Sequence, residues 1–115
     1  MTETPFTSFT FQRLDVYVAA RELAALVHLA RLSDPELRDQ ASRASKSVVL
    51  NLAEGLGSES PGVKRRHFAM AAGSVQEVAA AVDLAVAIGA LPAPVGERAM
   101  ALALRVRRML RGLMR

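Results

Sequence analysis

The sequence has no cysteine and no tryptophan, and only five of its 115 residues are Phe or Tyr. Without cysteine there is no disulfide framework and no thiolate metal site, as expected of a cytoplasmic protein. No segment alternates in period two with the Val, Ile, Thr and aromatic content of a strand. The opening MTETPFTSFTF has neither a basic n-region nor a continuous apolar run, so no signal peptide is expected. The longest apolar stretch, Phe68 to Leu91, is broken near its middle by Gln76, Glu77 and Asp83. A membrane span is not expected of such a segment, and no membrane partner is expected of the protein. Acidic residues are nearly missing from residues 95–115, where Glu97 stands alone against Arg98, Arg105, Arg107, Arg108, Arg111 and Arg115. Residues 1–94 hold 9 Lys and Arg against 10 Asp and Glu, so the whole basic excess lies in the last segment.

What is abundant is alanine, 21 residues of it, in a chain that is 51% hydrophobic. The length fits one domain (1–115), and the composition favours helices that approach closely. A polar arm over residues 1–10 precedes a first helix from about Phe11 to Arg31. Its face is Val16, Ala19, Ala20, Leu23, Leu26, Val27 and Ala30. Ser33-Asp34-Pro35-Glu36 is a helix start, capped by Ser33 with Glu36 reaching back or by Asp34 with Pro35 in the first turn. The second helix is expected to run to Glu54 and stop at Gly55 and Gly57. Ser60-Pro61 opens a third that lasts to about Ile88 and ends at Gly89, and a fourth fills about Val95 to Met114. Short connections between amphipathic helices predict an all-α, antiparallel up-down-up-down four-helix bundle.

Helix 3 carries two apolar stripes. Phe68, Ala72, Val75, Ala79, Val82 and Val86 form one; Met70, Gly73, Ala81, Leu84 and Ile88 form another on the far side. A helix apolar on two sides is buried on two sides, which predicts a subunit contact and hence an oligomer. On helix 4, Ala99, Leu102, Val106, Met109, Leu110 and Leu113 fill one half and most of the arginines the other.

On helix 2, steps of 3, 4, 4 and 3 align Gln40, Arg43, Ser47, Asn51 and Glu54 beside the apolar line of Leu37, Ala41, Ala44, Val48 and Leu52. If helices 2 and 3 turn around residue 58, facing positions sum to about 116. Glu54 then lies near the first turn of helix 3, whose free N–H groups favour a carboxylate. Gly73 would allow close approach, and Glu77 would receive Arg43. The predicted structure is a buried polar seam of Gln40, Arg43, Ser47, Asn51, Glu54, Ser74 and Glu77 that fixes helix register, with Asn51 and Glu54 tying down the loop.

The run QASRASKSVVLNLAEG, a Gly/Ser turn and HFAMAAGSVQEV resemble the four-helix bundle family encoded in intervening sequences of bacterial large-subunit ribosomal RNA. The accessory variability determinant of diversity-generating retroelements is similar in architecture. The family pattern is matched by Gln40, Arg43, Ala44, Ser47, Asn51, Ala53, Glu54, Gly55, Gly73, Ser74 and Glu77, with Val48, Leu52 and Val78 at its Ile and Leu positions. FQRLDVYVAARELA resembles the family's first helix and RRMLRGLMR its last. The resemblance implies a ring-shaped homopentamer without catalysis. From the retroelement relatives it implies binding of nucleic acid, RNA or DNA, and of a reverse transcriptase or other protein partner.

The residues themselves hold little sign of chemistry. His28 and His67 stand in no helical His-x-x-x-His or Glu-x-x-His spacing, and are read as surface or boundary residues rather than metal ligands. Ser47 and Ser74 have no His in local reach. Gly55-Leu56-Gly57 lacks the preceding strand of a dinucleotide loop. Glu54 and Glu77, with Arg43 nearby, look more like an ion network than a carboxylate pair. No catalytic residue, cofactor or metal is therefore expected. The functional candidates are the helix 4 arginines and Lys64, Arg65 and Arg66, which suit phosphate contact. The plain reading of the same residues is a solvated face. An anionic membrane surface would also attract a basic helix, but the apolar face of this one is needed by the bundle.

Overall fold

A computed structural model describes residues 4–115, and it contains four long helices: α1 (Asp15–Ala30), α2 (Pro35–Gly57), α3 (Pro61–Ala87) and α4 (Ala93–Met114). The first three residues of the polar arm lie outside the described residues. Each helix packs on its chain neighbours, and α1 also packs on α4, which closes an up-down-up-down bundle. Two short 3₁₀ turns, Pro5–Thr7 and Thr10–Arg13, precede α1, and the second rests against α1 and α2.

The starts and stops have local causes. Asp34 caps α2, accepting the Leu37 N–H at 2.9 Å, with Pro35 in the first turn. Ser60 caps α3 in the same way, accepting the Val63 N–H at 3.3 Å. Arg31, with φ 50°, ends α1 in the left-handed conformation, and Gly89, with φ 79°, follows α3. The two turns at this end of the bundle are tied by Ser33 N–H donating to the Ala90 carbonyl at 3.1 Å. Leu32 and Leu91 are buried beneath them.

The glycines after Glu54 do not stop α2, which runs through both to Gly57. Gly55 serves packing instead: a Cβ there would stand 2.5 Å from the Phe68 ring. The end is held by Lys64, whose Nζ donates to the Gly55 carbonyl at 3.0 Å and approaches the Leu56 carbonyl at 3.5 Å. Gly96 is the matching close approach of α4 to α3, where a Cβ would collide with Val86. Gly73, expected at a close approach, is exposed with open space where its Cβ would be.

The core is Ala, Val and Leu with one aromatic, Phe68. The α3 contribution is rotated from the expected stripe. Ala71, Val78, Ala81 and Ala85 are buried alongside Phe68, Val75 and Val82, while Ala72, Ala79 and Val86 are half-buried. Ala81 therefore leaves the outward stripe, in which Met70, Gly73, Leu84 and Ile88 remain exposed. On α4 the core takes Gly96 and Ala103 with Ala99, Val106 and Leu110, and Leu113 in the last turn is exposed. By composition and length α3 passes for a membrane span, with mean hydropathy 1.3 over its best window. Seven of its residues are nevertheless buried inside the bundle.

Candidate functional site

Two sites emerge from this packing. The first lies between α2 and α3. Asn51 Nδ2 donates to the Ser47 carbonyl at 3.0 Å and to Ser47 Oγ at 3.1 Å. Ser74 Oγ donates to Ser47 Oγ from across the interface at 2.9 Å. With its amide nitrogen so placed, Asn51 turns Oδ1 toward His67, whose Nδ1 lies 3.0 Å away. An amide oxygen only accepts, so Nδ1 is the donor in this bond. All four residues are half-buried. In such a setting each bond contributes about 1 kcal/mol, and an orphaned partner costs more. The imidazole N–H donates to an amide oxygen, and the bond ties the α3 ring to the α2 side chain.

The expected seam is thus shorter than its sequence pattern. Ser47, Asn51 and Ser74 are in it, but Gln40, Arg43, Glu54 and Glu77 are exposed. The buried Arg43–Glu77 pair is absent because both side chains have water as an alternative to each other. Glu54 does not tie down the loop; Lys64 does, from the other helix. His67, read from sequence as a surface or boundary residue, completes the seam. The observed facing pairs, 51 with 67 and 47 with 74, sum to slightly more than the 116 expected from the sequence. That expectation already placed Asn51 opposite position 65, within a turn of His67.

The second site is the outer face of α4. Arg98, Arg105, Arg107, Arg108, Arg111 and Arg115 are all exposed. They span about half the helix circumference, interrupted by Met100 and Leu104, which are 39% and 38% exposed. Arg107 borders the α3–α4 groove, and Arg98 the α1–α4 groove. Arg65 and Arg66 are exposed on the first turn and a half of α3, whereas Lys64 is half-buried by its bonds to the α2 end. Because α3 and α4 are antiparallel, Arg65 and Arg66 stand at the same end of the bundle as Arg111 and Arg115. Chain segments well apart in sequence are thereby brought to one end of the bundle. Among the described residues no group of three or more His, Asp or Glu is placed to hold a metal.

A search of curated proteins returned no match to the chain. The sequence profile of one family, described as 23S rRNA-intervening sequence protein, matches residues 12–112, from the last turn before α1 to the final turn of α4. With the four-helix bundle on which the matching segments fall, this match shows that the chain belongs to the 23S rRNA-intervening sequence protein family.

Proposed function

We propose that this chain is a non-enzymatic, oligomeric bundle, a pentameric ring by its family resemblance, that binds RNA or DNA as an accessory protein through the arginine face of α4. The observation that carries the reading is the exposure of all five α4 arginines, and of Arg115 just after them, on a helix with a single glutamate. Guanidinium groups held on a rigid helix match phosphate oxygens in charge and hydrogen-bond geometry. No aromatic side chain lies among them, so contact is with the backbone rather than by stacked bases, and binding tolerates sequence. Symmetric repetition multiplies the effect: five chains at +4 carry about +20.

The test is fluorescence anisotropy with RNA and DNA oligonucleotides over a salt series. The parent is expected to bind both at low salt and to weaken steeply as salt rises. Replacing Arg105, Arg108 and Arg111 by Gln should keep helicity and assembly size. It should flatten the slope of log affinity against log salt by about 0.7 to 0.9 for each phosphate no longer neutralised. A parent that binds neither polymer at low salt overturns the reading. A protein-interaction scaffold, favoured by the exposed apolar Met70 and Leu84 of α3 and Ile88 just after it, then takes its place.

A further inference from the structure

The N-terminal arm is polar in composition but carries two of the most exposed large apolar side chains in the protein, Phe6 at 83% and Phe9 at 64%. The arm holds itself in shape. Gln12 accepts the Phe9 N–H at 3.1 Å through Oε1 and donates to the Phe6 carbonyl at 2.6 Å, while Thr7 and Thr4 bond reciprocally. Phe9, Phe11 and Tyr17 form an aromatic run, with centroids 5.7 and 4.8 Å apart, that leads from the arm onto α1. A phenyl ring presented to water on an organised support is an unmet burial worth about 2 kcal/mol.

A receptor of the right size lies elsewhere on the same chain. The groove between α3 and α4, lined by Val75, Gln76, Ala79, Met100, Leu104 and Arg107, encloses about 120 Å³. That is the scale of an apolar cavity that takes benzene, about 150 Å³. Its walls suit an aromatic ring: Met100 supplies a thioether and Arg107 a guanidinium at the rim. The arm's last turn rests on α1 and α2, and in the ring order of the helices that edge is opposite the α3–α4 edge. The arm therefore faces away from the groove of its own chain.

We propose that Phe6 of one copy seats in the α3–α4 groove of the next. Phe9 packs beside it, and the exposed tips of Met100 and Leu104 close over the pair. This contact stands beside the outward stripe of Met70, Leu84 and Ile88, from which the oligomer was expected, and it rests on the oligomeric part of the proposed function. Donor and receptor are different surfaces on opposite edges, so the contact is heterologous, and each copy gives one arm and receives one. Such a contact generates a ring when its rotation closes, rather than an isologous dimer. Phe6 acts as the buried anchor, with flanking residues excluding water.

The absence of native cysteine makes the test clean. Full-length proteins carrying either Ser8→Cys, which keeps the Phe6 anchor, or Leu104→Cys are mixed and oxidised. A disulfide-linked pair of unlike chains is expected, while Ser8→Cys mixed with Leu29→Cys, on the exposed α1 surface, should give none. In parallel, light scattering compares the parent with Phe6→Ser, Phe6→Leu and Ala79→Phe, with circular dichroism reporting the fold. The parent and Phe6→Leu should have several times the 12.3 kDa chain mass, and Phe6→Ser and the groove-filling Ala79→Phe a lower one. A multimeric parent whose mass Phe6→Ser leaves unchanged, or equal cross-linking to both partners, overturns the arm-in-groove contact alone. A monomeric parent overturns the oligomeric reading as well.

Discussion

Asn51 answers three demands at once, donating twice to Ser47 and accepting from His67 where α2 passes over α3. Truncation therefore strands groups on both helices. Asn51→Ala is expected to cost about 1–3 kcal/mol, since a half-buried imidazole N–H and a serine hydroxyl each lose a partner. Arg43→Ala, one turn from Ser47 but solvent-facing, is expected to cost less than about 1 kcal/mol. Urea denaturation of both variants at one protein concentration checks the pair of values. A reversed order would show that Arg43 is held by a contact the single chain does not make. Sequence spacing identified Ser47 and Asn51 because period and polarity suffice for one helix. It overextended the seam to Gln40, Arg43, Glu54 and Glu77 because long polar side chains beside a core line reach water without leaving it. It missed His67 because a cross-helix pair depends on the exact turn between α2 and α3.

At the scale of elements, small residues set how closely helices approach, and the same residue type plays opposite parts. Gly96 brings α4 against Val86, and Gly55 brings α2 over Phe68. Gly73 has no neighbour within 4 Å at its Cβ position. Gly73→Ala is accordingly expected to stabilise the folded chain by about 1 kcal/mol, the helix-propensity difference. Gly96→Ala gains the same propensity but overpacks Val86, which costs about 1–3 kcal/mol. Thermal melts at equal concentration should separate the two by several degrees, with Gly73→Ala the higher. The four helices and their order were legible because capping signals and apolar periodicity are local. The rotation of α3 that buries Ala81 and the continuation of α2 through Gly55 were not. Both are decided by what stands on the facing helix: a phenyl ring under a glycine, an alanine rather than a valine at the crowded seam.

At the scale of the molecule, antiparallel topology sorts the charge along the bundle axis. The end that gathers the starts of α1 and α3 and the ends of α2 and α4 carries Arg13, Lys64, Arg65, Arg66, Arg107, Arg108, Arg111 and Arg115, against Asp15, Glu54 and Glu59. The opposite end carries Asp34, Glu36, Asp39, Asp83 and Glu97 against Arg31, Arg38 and Arg98. Part of this has a local cause, since arginines in the last turn of α4 complement the negative end of its dipole. The dipole has no bearing on Arg65 and Arg66, the fifth and sixth residues of α3, because its field falls off within the first turn. If the basic end is the contact, Arg65→Gln with Arg66→Gln should weaken RNA binding about as much as Arg108→Gln with Arg111→Gln. Each pair should lower the salt slope by about 0.7 to 0.9 for each phosphate that its arginines neutralise. Arg31→Gln with Arg38→Gln removes the same net charge from the far end and should shift affinity less than about twofold, because charges beyond a Debye length of about 10 Å are screened at about 0.1 M salt. Equal losses from all three pairs would mean that net charge, and not its placement by the fold, attracts the polyanion.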